Sequence, residues 1–171
     1  MSVGSARALC LAIVLGASCF ASATAGPGGG RPAAERVAMR IAGAAGTVGL
    51  RAEIARTVEA RSRGLMDRSH LPADAGMLFV YPEAQPPQSG FWMFRTRIPL
   101  DIAFLDGDGR ILAIRVMEPC GSAVSFRCRT YAPGVPYRAA LEVNRGFFAR
   151  NRIAVGDRLV LPPDFSLEGA E

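Results

Sequence analysis

The tetrapeptide Asp106-Gly107-Asp108-Gly109 stands between two apolar runs, residues 100–106 and 110–117. An Asp-Gly turn flanked by such runs predicts a β-hairpin, because glycine takes the positive φ a tight hairpin needs. Similar short segments recur along the chain. Val48, Leu50, Ala52 and Ile54 alternate with Gly49, Arg51, Glu53 and Ala55, the period of a half-buried strand. Residues 76–81, 91–94 and 137–143 read as strands, and a turn at Gly156-Asp157 leads into a last one ending at Leu161. Pro82 should end the first of these, and residues 85–90 are too rich in proline to join a ladder. In the hairpin's return strand, Leu112, Ile114 and Val116 fall on one face. Helical signals are few. Thr57 suits an N-cap, Glu59 a first turn and Gly64 a stop, while residues 146–151 could make one turn with Phe147 and Phe148 inward. Roughly seven short strands without βαβ alternation predict a mainly β domain with one or two short helices. A compact small barrel or a strongly coiled antiparallel or mixed sheet would bury them and limit open edges.

The first 25 residues read as an export signal. Arg7 supplies the positive region, residues 9–20 are an apolar run too short to span a bilayer comfortably, and small residues follow. Cleavage is expected after Ala25. An uncleaved anchor stays open, as does lipid attachment at Cys19, although Gly16-Ala17-Ser18-Cys19 lacks the usual leucine. Residues 26–46, rich in Gly, Ala, Pro and Arg, read as a flexible tether; residues 47–162 form a single β-rich domain and 163–171 a C-terminal tail. Export places the domain in the periplasm. The mature chain then keeps only Cys120 and Cys128, most simply a disulfide in an oxidising compartment. Closing so short a loop stabilises by roughly 2–3 kcal/mol on the chain-entropy view.

Half of the 171 residues are apolar and 20% are charged, which excludes overall disorder. The net charge is +5, and every one of the 20 basic residues is arginine. Guanidinium groups favour planar contacts with carboxylates or phosphates, but a GC-rich coding bias would leave the same mark. The arginines are scattered, without a basic block or an interleaved aromatic stripe, so no nucleic-acid partner is expected. Peripheral attraction to an anionic membrane surface is the simpler reading of the charge. A monomer is expected, and no motif implies a cofactor.

Two carboxylates sit inside apolar runs: Asp101 between Leu100 and Ile102, and Glu142 between Leu141 and Val143. Sharing one cleft, they would repel, raise one pKa and supply an acid and a base. Alternatively each pairs with an arginine such as Arg63, Arg68 or Arg95 and stiffens the fold. Met66, Met77, Met93, Trp92 and His70 could suit copper(I), yet methionine is also a common core filler. Trp92 and Met93 are adjacent and point to opposite faces of a regular strand, so core packing is the better reading and no metal is assigned. Asp106 and Asp108 could open a calcium loop, but Arg110 and Met117 occupy ligand positions. A single histidine and no serine elbow leave nucleophilic catalysis unsupported.

Five ordered blocks carry a resemblance: Gly64-Leu65-Met66-x-Arg68, Gly76-Met77-Leu78-Phe79, Phe91-Trp92-Met93-x-x-Thr96-x-x-Pro99-Leu100-Asp101, Leu141-Glu142 and Ile153-x-x-Gly156-Asp157. Together they resemble the bacterial and archaeal family called domain of unknown function 192, over residues 48–161. The resemblance implies a small β-rich domain, often exported, and carries no established activity. Phe94-Arg95 stands where the family usually has lysine-asparagine, which weakens any fixed polar contact at those positions. The binding positions to examine are Met66, Arg68, Trp92, Thr96, Asp101 and Glu142. Taken together, these readings favour a non-enzymatic periplasmic binding or assembly module for a small ligand or an envelope protein. One alternative is a hydrolase-type enzyme using Asp101 and Glu142 on a cell-envelope saccharide or peptide. A third is a copper(I)-binding protein.

Overall fold

A computed structural model describes Met1 and residues 36–167. The expected signal, the first part of the expected tether and residues 168–171 lie outside the described residues. Strand β1 (Arg36–Gly43) turns into β2 (Gly46–Ala55), which is followed by helix α1 (Val58–Arg63) and β3 (Ala75–Gln85). Next come the short β4 (Phe91–Trp92), β5 (Leu100–Leu105) and β6 (Ile111–Met117). After a single 3₁₀ turn, Ser125–Arg127, the chain adds β7 (Thr130–Tyr131), β8 (Tyr137–Asn144), α2 (Phe147–Arg150) and β9 (Arg158–Val160).

Seven strands form one mixed, strongly curled sheet in the order β6-β5-β8-β3-β2-β1-β9, a half-barrel. Among the described residues only β2 and β3 run parallel, joined through α1; the remaining pairs are antiparallel. The outer strands meet at one end, where Leu159 N–H donates to Gly109 O and Ile111 N–H to Asp157 O, each at 2.8 Å. Curling thus satisfies part of what would otherwise be two open edges. β4 and β7 pair separately as a two-stranded ribbon.

Local chemistry explains the elements that sequence alone predicts. Thr57 Oγ1 accepts from Ala60 N–H at 3.2 Å, and Gly64 ends α1 with φ 49°. Asp106 Oδ1 accepts from the N–H groups of Asp108 and Arg110 at 2.9 and 2.8 Å, closing the hairpin. Phe147 and Phe148 are buried on α2. Cys120 and Cys128 form a disulfide with Cα atoms 5.6 Å apart.

Other expectations need correction. Arg36–Gly43 is strand, not tether, because Val37, Met39 and Ile41 alternate and pack on β2 and β9. The tail is held through residue 167: Leu167 is buried, and Arg56 lies 4.4 Å from the Phe165 ring centroid while donating to Ser166 O. Pro82 does not end its strand; a register irregularity between Val80 and Gln85 lets β3 run on to Gln85. Residues 91–94 yield strand only at Phe91–Trp92. A second irregularity, at Phe104 and Leu105, separates Leu112 from Ile114 and Val116. Leu112 packs with one apolar cluster, Ile114 with the other, and Val116 is half exposed.

The sheet carries a core on each face. The first face gathers Met39, Ile41, Leu50, Leu78, Leu141 and Phe148. The second gathers Met77, Phe79, Leu100, Ile102, Phe104 and Met93 under α1, the turn after it and the β4–β7 ribbon. It is the second face that holds the site.

Candidate functional site

Strand register sets one transverse row on this second face. Glu53 of β2 opposes Met77 of β3, Met77 opposes Glu142 of β8, and Glu142 opposes Ile102 of β5. Directly opposed residues share a face, so two glutamates stand there two strands apart, on the order of 10 Å. Both are buried. Their electrostatic circumstances differ completely.

Glu53 is compensated. The Arg68 guanidinium grips both its oxygens, with Nη1 at 2.7 Å from Oε1 and Nη2 on Oε2, and Arg36 Nη2 adds a bond at 3.2 Å. Burial alone would push the Glu53 carboxyl up; hydrogen bonds and charge from Arg68, then Arg36, outweigh it and hold the group below its usual range. Glu142 has no such help. Among the described residues no hydrogen bond or ion pair reaches its carboxyl, and desolvation pushes its pKa up to about 8.

The lid over this row is built from two family-like blocks clasped together. Gly64 brings the end of α1 down onto Phe79; a Cβ there would lie 3.2 Å from the ring. The turn that follows is tied to the one after β4 by Asp67 N–H donating to Arg95 O at 2.7 Å. Arg95 returns the contact with Nε and Nη2 on the Asp67 carboxylate at 3.2 and 2.6 Å. Both residues have positive φ, 63° and 56°, so the clasp holds two non-glycine residues in the left-handed region. On the other side, the β4–β7 ribbon is braced by the disulfide loop, where Cys120 N–H donates to Met93 O at 3.3 Å. Gly76 matters beneath: a Cβ there would sit 2.6 Å from Glu142 O, so glycine lets β3 and β8 approach under the site.

Between these parts lies a cavity of about 120 Å³. Glu142 is in its lining, with Thr96, Trp92, Phe91, Phe79 and Tyr81. Arg61, Arg63 and Met66 contribute from α1 and the turn beyond. Trp92 is 45% exposed while its neighbour Met93 is 1% exposed, so the indole faces out and the thioether into the core. Thr96 is buried and its hydroxyl makes no hydrogen bond among the described residues. Arg61 is held in place, donating to Val80 O at 3.0 Å and to Arg56 O, with its guanidinium 5.0 Å from the Tyr81 ring centroid. Arg63 is exposed and makes no ion pair or hydrogen bond through its side chain among the described residues. Burial pushes the Tyr81 and Tyr137 phenols up, so both stay neutral through the physiological range.

Met66, Trp92, Thr96 and Glu142 therefore share one cavity. Arg68 is on the same face but committed to Glu53. Asp101 is elsewhere. It opposes Val143 on β8 whereas Glu142 opposes Ile102, so the two carboxylates project from opposite faces of the sheet. The acid–base pair that their sequence setting predicts cannot form across one cleft. Asp101 instead lies near the backbone N–H groups of Gly146 and Phe148 at the start of α2; burial raises its pKa and those donors oppose the rise, while its buried Oδ1 makes no hydrogen bond among the described residues. Met77 and Met93 are core residues of the second cluster, and His70 is exposed.

The family model for domain of unknown function 192, described as "Uncharacterized ACR", matches residues 39–161. The chain belongs to this family. Among solved structures, a Sinorhizobium meliloti 1021 protein provisionally designated a transcription regulator is 32% identical. That match covers 76% of this chain and 96% of the other, with a TM-score of 0.67. A protein of unknown function from Novosphingobium aromaticivorans DSM 12444 is 33% identical over 75% of this chain and 89% of its own, with a TM-score of 0.62. No curated protein matches the chain.

In this member of the family, four of the five blocks meet at the cavity or directly beneath it. Gly64-Leu65-Met66 and Phe91-Trp92 with Thr96 form its walls, Phe79 and Glu142 contribute from the sheet, and Gly76 sets the strand spacing below. The fifth, around Gly156-Asp157, closes the half-barrel at its far edge. Sequence reasoning missed Arg61, Tyr81 and Glu53. Arg61 and Tyr81 sit outside the blocks, and nothing in their spacing marks them. Glu53 fell on what looked like the wet side of an alternating strand.

Proposed function

We propose that this protein is an exported binding module whose ligand site is the cavity between α1, the β4–β7 ribbon and Glu142. One observation carries the reading: a buried carboxyl with no partner among the described residues lines a cavity beside the chain's single tryptophan. A buried, uncompensated carboxyl is costly, and a fold retains one where something else completes it. The neighbouring Glu53, fully paired on the same face, supports this, because the same sheet elsewhere supplies a cation. The disulfide and the signal-like first 25 residues support an oxidising, exported setting.

Two experiments test it. The purified chain, incubated with a small-molecule extract of the cell envelope and passed through an ultrafiltration membrane, should retain a compound detectable by mass spectrometry. A Thr96→Val/Trp92→Leu variant should not retain it. Equal recovery by both proteins, or by neither, sinks the site. For export, fractionation with N-terminal sequencing should find the chain outside the cytoplasm and beginning at Gly26; a full-length cytoplasmic chain refutes that half of the reading.

A further inference from the structure

The chemistry of the cavity narrows what it can hold. Its volume of about 120 Å³ is on the order of four waters, far below the pockets that enclose nucleotides or drug-sized molecules. The lone carboxyl comes from the sheet, while two arginines of the lining, Arg61 and Arg63, come from α1, and Arg63 is exposed. Phe79, Phe91, Trp92 and Tyr81 make the lining largely aromatic. Aromatic rings and a carboxylate favour an ammonium group. Arginines in the lining disfavour a simple cation and favour an acid group on the same molecule.

Resting on the binding reading above, we propose that the cavity takes a small aliphatic amino acid, its ammonium group against Glu142 and Thr96 and its carboxylate against Arg63. Each contact answers an unmet need. Among the described residues, Glu142 has no ion-pair partner, the Thr96 hydroxyl has acceptor capacity to spare, and Arg63 is a guanidinium without a partner.

Binding is coupled to a proton. Free Glu142 holds its proton at neutral pH, and pairing with ammonium requires the carboxylate, so a proton leaves to solvent. The titratable and charged groups around it are few. Tyr81 on β3 and Tyr137 on β8 are held neutral by burial, and the arginines nearby on α1 are Arg61 and Arg63. From β5 the face presents Ile102 and Phe104; Arg115, one strand further on β6, is bound to Pro133 O at 2.7 Å. Glu53 on β2 is ionised against Arg68 and Arg36. His70 is not part of the cavity lining.

The test titrates glycine, γ-aminobutyrate, butylamine and butyrate into the purified chain at pH 6, 7 and 8, following the emission of Trp92. At least one of the two amino acids should bind saturably and more tightly than butylamine, and butyrate should not bind. The association constant should rise about ten-fold from pH 6 to 7 and less from 7 to 8. Glu142→Gln should abolish that slope, and Arg63→Ala should weaken the amino acid without weakening butylamine. Butyrate binding that is tighter at pH 6 than at pH 8 overturns the inference, since the carboxyl would then act as a donor to an anion; the binding reading survives that result. Amino-acid binding with no pH slope, or unchanged in Glu142→Gln, also overturns it. Silence from all four probes overturns the inference alone if the envelope extract yields a captured compound, and overturns both if it does not.

Discussion

Glu142→Gln should make the folded domain less sensitive to alkali, and the size of the effect follows from the burial of one group. The carboxyl is 4% exposed, has no partner among the described residues, and its pKa rises from 4.5 to about 8. Between those two values the unfolded chain has released the proton while the folded chain keeps it. The unfolded state therefore binds fewer protons, and stability falls as pH rises. The penalty is absent below pH 4.5, grows by ~1.4 kcal/mol per pH unit, and levels off above pH 8. That is about 3 kcal/mol at pH 7 and about 5 kcal/mol at its plateau, as orders of magnitude. Glutamine keeps the shape and cannot ionise.

The assay is urea unfolding of both proteins from pH 5 to pH 9, followed by the single tryptophan. The buried amide has its own unmet hydrogen bonds, which cost about 1–3 kcal/mol independent of pH. The test is thus the slope of the stability difference, not its value at one pH. Contributions from Glu53 and Asp101 are common to both proteins and cancel. A difference that climbs in favour of the variant from pH 5 to 8 and then flattens supports the reasoning. A flat difference over that range refutes it, because the Glu142 carboxyl would then be hydrated or paired in the folded state.

Arg68→Ala removes the larger partner of a carboxylate only 5% exposed and should cost about 3 kcal/mol in urea unfolding at pH 7, toward the low end for a broken buried pair since Arg36 remains. Because Glu53 is held below its usual range, its contribution is present at neutral pH and is lost as pH falls through the folded value, so wild type and variant should converge in acid; parallel acid profiles refute the assignment. Replacing Cys120 and Cys128 by serine opens a loop with a sequence separation of 8 and should cost roughly 2–3 kcal/mol. It should also shift Trp92 emission to the red, since β4 pairs only with β7, just past the bridge; an unchanged emission maximum would mean the ribbon is braced without it.

What the sequence discloses here are features closed by neighbours in the chain. The Thr57 cap, the Gly64 stop and the Asp106–Gly109 turn need only residues a few positions apart, and each appears where expected. β1 is obscured because its Val37, Met39 and Ile41 alternation is embedded in a Gly-, Ala- and Arg-rich stretch that reads as linker. Glu53 is obscured for another reason. Alternation marks one face of a strand as wet, but the turn carrying Arg68 crosses back over β2, and a local pattern holds no trace of that return. Asp101 and Glu142 each lie between apolar neighbours and are both buried, as their settings imply. Whether they share a face depends on the register of β5 against β8, and a shift of one residue reverses the answer. Register between strands some forty positions apart is written in the whole sheet.

The row Glu53–Met77–Glu142–Ile102 turns that register into an argument about function. A sheet that buries two glutamates on one face, two strands apart, faces the same desolvation cost twice. At Glu53 it meets the cost with two arginines. At Glu142, with arginines present at the same cavity, the cost is left standing: Arg61 is turned to backbone carbonyls and Arg63 is exposed. Packing considerations alone favour leucine or methionine at position 142, since replacing a buried charge by an apolar residue is commonly neutral or stabilising. An acid kept there, beside an open cavity and a half-exposed indole, is accounted for by a cation that arrives from outside the chain.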